Sequence, residues 1–211
     1  MFEFEVIFTI INCMLDILFS NPLSFFILIS CLIFSITIHE FAHAWTAYKL
    51  GDSTPKYQGR VTLNPLSHID PIGLLLLVLA GFGWGRPVEY DLYSLKHPKR
   101  DVLLISLAGP LSNFIIAFCF LIIGKFVGFN TVISQLVTLN LVLGVFNLLP
   151  IHPLDGFKVV TGLLPYNLAY RWQDLENYGI YILLVFIFTD AFKYTVLPIV
   201  SVILSFMNFL I

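Results

Sequence analysis

The residues best able to do chemistry lie in one run, Ser35-Ile36-Thr37-Ile38-His39-Glu40-Phe41-Ala42-His43. On a helix, positions four apart share a face one turn above each other, so His39 and His43 can both reach one ion. Glu40 leans toward the same place, where it can act as a general base on a water molecule. Zinc suits such a set, because it accepts imidazole nitrogen and keeps a position open when the protein supplies three ligands. The surroundings are apolar. Two histidines and a carboxylate in hydrocarbon are costly unless they pair, bind metal or line a wet cavity, which favours a metal site over a polar patch between helices.

Composition says what must position this run. Of 211 residues, 58% are hydrophobic and only 11% charged, and the mean hydropathy is +0.91. So few charges cannot cover so much apolar surface in water, so the chain reads as an integral membrane protein. The expected fold is an all-α polytopic membrane protein of about five or six transmembrane helices, each needing about 20 residues. It forms a single membrane-embedded domain over 1–211, with its core at about 23–165. A net charge of -2 and the lack of a basic stripe exclude a nucleic-acid partner. Cys13, Cys31 and Cys119 are scattered through apolar runs and read as small buried hydrophobes. The acidic start, Met1 to Glu5, lacks the positive region of a cleaved signal peptide, so residues 1–20 are read as retained.

Along the chain, 6–20 is a short apolar segment that could span or lie at the interface. Leu23 to Leu50 is the strongest helix, about 40 Å long, with Gly51 as its stop. His39 then lies about 24 Å below one surface of a ~30 Å core. Residues 51–103 are polar. They hold Lys56, Arg60, Arg86, Lys96, Lys99 and Arg100, with Lys49 just before them; Lys158 and Arg171 flank Asp155 later in the chain, and in the expected topology these nine of the eleven Lys and Arg residues fall on one side. That side is read as cytoplasmic, and the site as near it. Within this loop, Pro71 to Gly83 is too short to span and reads as re-entrant or interfacial, while Gly85 to Tyr93 alternates like a strand. Val102 to Gly124 and Thr131 to Leu149 are further spans, and 178–189 and 194–211 close the chain. Leu149 lies about 26 Å in from the outer surface, level with His39, which brings nearby Asp155 to the two histidines.

Four segments occur in order: His39-Glu40-Phe41-Ala42-His43; Leu63-Asn64-Pro65 through His68-Ile69-Asp70-Pro71; Ala108-Gly109-Pro110-Leu111-Ser112-Asn113; and Asn147-Leu148-Leu149-Pro150 through Leu154-Asp155-Gly156. Together they resemble the site-2 protease family of intramembrane zinc metalloproteases, in its compact bacterial form. The resemblance implies a zinc endopeptidase of a bacterial inner membrane that cleaves transmembrane segments of other membrane proteins, in regulated intramembrane proteolysis or signal-peptide clearance. It implies one Zn2+ held by His39, His43 and Asp155, Glu40 as general base, and Asn113 and Asn147 as residues that hold substrate backbone or the developing oxyanion. Relatives often carry a PDZ domain where this chain has a short turn near Gly128-Phe129-Asn130, so no PDZ filter is expected, nor a regulatory domain after Ile211. His152 stands where compact relatives have a proline, and reads as a tolerated loop residue.

Other expectations are structural. Asn64 and His68 orient the loop, and His97 belongs to a basic flank at the headgroups. Asp70 and Asp91 have no partner that the sequence assigns. The nucleophile motif of rhomboids and the acid of presenilin-like proteases are absent. The competing class is a non-enzymatic metal transporter or scaffold, for which a base beside His39 has no use.

Overall fold

The computed structural model describes residues 14–80 and 83–210. Ten helices follow in order: α1 (Met14–Ser20), α2 (Pro22–Lys49), α3 (Thr54–Tyr57), α4 (Pro71–Ala80), α5 (Pro98–Val127), α6 (Thr131–Asn147), α7 (Asp155–Leu163), α8 (Tyr166–Gln173), α9 (Glu176–Phe188) and α10 (Ala191–Leu210). The helix ends follow local chemistry. Asn21 Oδ1 accepts from Ser24 N at 3.1 Å, and Pro22 takes the first helical position, where no backbone donor is needed. At the other end of α2, Gly51 adopts φ 113°, which only glycine enters freely.

Among the described residues three helices, α2, α5 and α10, are long and apolar enough to cross a membrane. At 1.5 Å per residue α2 and α5 exceed a ~30 Å hydrocarbon core. The apolar helices α6 and α9 are shorter, so among the described residues length and composition support three spans, and the expected count of five or six is not shown. Helix α6 is central. Its residues Gln135 to Leu141 are buried without a break, because α2 and α4 cover one side and α5 and α10 the other. A helix enclosed on all sides has no polar face, which is why α6 is apolar all round apart from a few buried polar side chains such as Gln135, Thr138 and Asn140.

The loop differs from expectation. Among the described residues there is no strand; Ile69 and Gly85 form one isolated antiparallel bridge. Gly83 and Gly85 weaken strand pairing and Pro87 has no N–H to donate, so the alternation at 85–93 does not extend into a ladder. A 3₁₀ turn at Leu92–Ser94 ends it. The apolar run after Pro71 is a ten-residue helix, about half a bilayer core in length. Of the expected first segment, 6–13 lies outside the described residues.

Candidate metal centre

The site is built where α2, α5, α6 and the start of α7 meet. His39 and His43 project from one face of α2, and both are buried. The turn after α6 closes on itself, and Asp155 is the first residue of α7. Gly156 permits this, because a Cβ there would lie 2.3 Å from the carbonyl oxygens of Leu148 and Leu149. Asp155 Oδ2 stands 3.1 Å from His39 Nε2 and 3.1 Å from His43 Nε2, and the two Nε2 atoms are 3.1 Å apart. The motif separated from α2 by over a hundred residues thus completes a triangle of donors.

The far nitrogen of each ring fixes its tautomer. His43 Nδ1 faces the carbonyl of Ile105 at 2.7 Å. A carbonyl only accepts, so Nδ1 carries the hydrogen and Nε2 presents a lone pair. For His39 the same result comes through a chain of side chains. Asn140 Nδ2 donates to Leu136 O (2.7 Å) and Ser35 Oγ (2.9 Å), and Ser35 Oγ donates to Cys31 O (2.8 Å). Those fixed carbonyls orient the Asn140 amide, so its Oδ1 accepts from Asn113 Nδ2 at 2.8 Å. Asn113 Oδ1 then accepts from His39 Nδ1 at 2.6 Å. Ser35, Asn113 and Asn140 are fully buried.

Three lone pairs therefore converge with no hydrogen among them, an arrangement that repels itself until a cation enters. The spacing fits zinc: ligands at about 2.0–2.1 Å in a tetrahedron are about 3.3–3.4 Å apart. Helix α5 leaves the room. A Cβ added at Gly109 would stand 2.3 Å from His43 Nε2 and 2.6 Å from His39 Nε2. Among the described residues, this is the one group of His, Cys, Asp and Glu placed to hold a metal ion.

Beside the triangle opens a cavity of about 480 Å³, lined by Glu40, Asn147 and the extended segment from Gly83 to Tyr90. Similarity to known proteins settles the class. A model of peptidase family M50 matches residues 125–189. The chain is 41% identical over 187 residues to YwhC of Bacillus subtilis, which carries a provisional zinc-metalloprotease name, covering 82% of this chain and 85% of that one. It belongs to peptidase family M50.

A second relative, Rip2 of Mycolicibacterium smegmatis, also with a provisional zinc-metalloprotease name, is 32% identical over 81% of this chain and 71% of its own. Zinc metalloprotease MJ0392 of Methanocaldococcus jannaschii is 28% identical over 78% of this chain and 42% of its own. No solved structure matches. The resemblance to site-2 proteases is thus family membership, and zinc is the cofactor that goes with it.

Within the M50 frame the two asparagines part company. Asn147 borders the cavity; its Nδ2 donates one hydrogen to Leu143 O at 3.0 Å. Asn113 does not. Its amide lies behind His39, where Oδ1 accepts from His39 Nδ1 and Nδ2 donates to Asn140 Oδ1. The loop asparagine and histidine are structural, as expected: Asn64 Oδ1 accepts from Leu66 N at 3.1 Å, and His68 Nε2 donates to Thr62 O at 2.8 Å. Burial pushes the His68 imidazole below its ordinary pKa, with Arg60 adding to the effect. Asp70 and Asp91 do find partners, accepting from Gly73 N and Tyr93 N. His152 lies edge-on to Phe157 and outside the donor triangle.

Sequence reasoning missed Ser35, Asn140 and Arg60. A signal existed for two of them. Ser35 lies one turn before His39, and Asn140 lies two turns before Asn147, each a polar side chain in an apolar helix. Arg60 is one of the nine Lys and Arg residues whose side reads as cytoplasmic, yet it is 3% exposed. Burial pushes its guanidinium below the ordinary value, and Glu40 acts against that.

Proposed function

We propose that the chain is an intramembrane zinc endopeptidase that hydrolyses peptide bonds in transmembrane segments of membrane-anchored proteins. The observation that carries this reading is the donor triangle of His39, His43 and Asp155, opening onto the same cavity as Glu40. Those three residues would hold zinc, which supplies Lewis acidity for the scissile carbonyl and lowers the pKa of water. Glu40 is the general base: half-buried and one residue from a ligand, it takes a proton from the attacking water and returns it to the leaving amine. Asn147 offers the rest of its amide to substrate backbone. The extended wall from Gly83 to Tyr90 is suited to hold an unwound substrate by β-addition, since a helical substrate shields its peptide bonds.

The same reading places the whole chain in one protease domain with its core at about 23–165. The polar loop and most Lys and Arg residues face the cytoplasm, α4 is re-entrant or interfacial, and the active site lies near the cytoplasmic face of an inner membrane. Substrates in keeping with this are membrane-anchored regulators or signal-peptide remnants. The decisive experiment measures zinc per chain in detergent-purified wild type and Asp155→Ala, then cleavage in Glu40→Gln. About one zinc is expected in the wild type and far less in Asp155→Ala. Glu40→Gln should keep zinc and lose cleavage. A wild type without zinc after careful purification, or cleavage by Glu40→Gln, would sink the reading; metal flux with Glu40→Gln intact would point to a transporter.

A further inference from the structure

Arg60 follows Gly59 in the loop, with its side chain buried beneath the two segments that form the isolated bridge. One terminal nitrogen donates to Ser67 O and the other to Arg86 O, so the fork ties a carbonyl on each side of the Ile69–Gly85 bridge. Arg86 N completes the joint by donating to His68 O at 2.7 Å. The nitrogen that bonds Arg86 O also lies 3.9 Å from Glu40 Oε2. Among the described residues, Glu40 is the one carboxylate in ion-pair range of this guanidinium. A buried cation needs a counter-charge, and two neutral carbonyls do not supply one. Gly85 shows how closely the joint approaches the base, since a Cβ there would stand 3.6 Å from Glu40 Oε1.

We propose that Arg60 is a positioning residue that, through the carbonyl of Arg86, ties the Glu40 carboxylate to the cavity wall at Gly85 and Pro87. Base and wall are then set by one rigid group, so a substrate strand laid on the wall arrives in register with Glu40. This rests on Glu40 acting as the base. Lysine cannot replace the arginine, because a single ammonium lacks the planar fork that spans two carbonyls while facing a carboxylate.

Two measurements on the full-length, zinc-loaded protein in detergent test this. The first compares wild type and Arg60→Lys on a fluorescence-quenched peptide bearing about twenty apolar residues interrupted by glycine. Arg60→Lys should keep its zinc and lower kcat by roughly tenfold or more, with KM changed by less than about threefold. Wild-type kcat in Arg60→Lys, or a rise in KM alone, overturns the proposal. The second needs neither cleavage nor an Arg60 variant. Amide exchange at Arg86 is followed in wild type and Glu40→Gln, and should quicken by about tenfold once Arg60 loses its counter-charge. Unchanged exchange also overturns the proposal. A peptide left uncut by a zinc-loaded wild type counts against the protease reading, and the exchange result still decides whether Arg60 couples Glu40 to the wall.

Discussion

Gly109→Ala sets two forces against each other with opposite signs. By helix propensity alone, alanine inside α5 stabilises by about 1 kcal/mol relative to glycine. The geometry of the centre predicts the reverse for metal. The new carbon would stand 2.3 Å from His43 Nε2, 2.6 Å from His39 Nε2 and 2.7 Å from His39 Cε1. Ordinary contact begins near 3.4 Å, so α5 or the two rings must retreat by about 1 Å. The rings cannot simply turn away, because Ile105 O and Asn113 Oδ1 hold their far nitrogens. The methyl also fills space that a shared ion requires. Zinc content should therefore fall from about one per chain to a small fraction of that, while helical content stays intact. Gly124→Ala is the control: on the same helix its Cβ would meet the Phe129 ring at 2.6 Å, away from any donor. That variant should keep zinc. Gly109→Ala protein with full zinc and wild-type cleavage would refute the placement of the ion between the histidines.

Two further expectations follow from buried groups. Asn140→Leu removes the anchor of the amide chain behind His39 without touching the cavity, and should weaken zinc by about 10–100-fold in chelator competition; equal affinity would show that the chain does not orient the ring. The His68 imidazole is neutral when folded, with its pKa held below the ordinary 6.5 by burial. The unfolded chain therefore binds the extra proton first as pH falls, and stability present above about 6.5 is lost below it. Its share of that loss is at most about 1.4 kcal/mol per pH unit. Thermal unfolding from pH 7.5 to 5 should show a shallower slope in His68→Gln than in wild type.

The donor residues were legible because their signals are local or additive. Four-residue spacing puts His39 and His43 on one face, and adding up helix rise brings Asp155 to the same level. What escaped depends on how helices roll against each other. Nothing in the apolar run of α6 says that Asn140 turns toward α5, and nothing in a loop rich in charge says that Arg60 turns inward. Asn113 shows the same limit. Its motif placed it at the site, but only the packing of α5 on α2 brings its amide oxygen to the far nitrogen of His39. The strand expected at 85–93 failed for a chemical reason: alternation survives Gly85 and Pro87 on paper, whereas pairing does not.

The chain of amides behind His39 has one more property. Every donor in it points the same way, from the imidazole through Asn113 and Asn140 to the carbonyls of Cys31 and Leu136. Amide nitrogens do not relay protons as water or carboxylates do, and a backbone carbonyl is a terminus. The interior is thus wired to hold a hydrogen still and insulated against conducting one. The cavity lies on the opposite side of the centre from this chain of amides, and Glu40 is among the residues that line it.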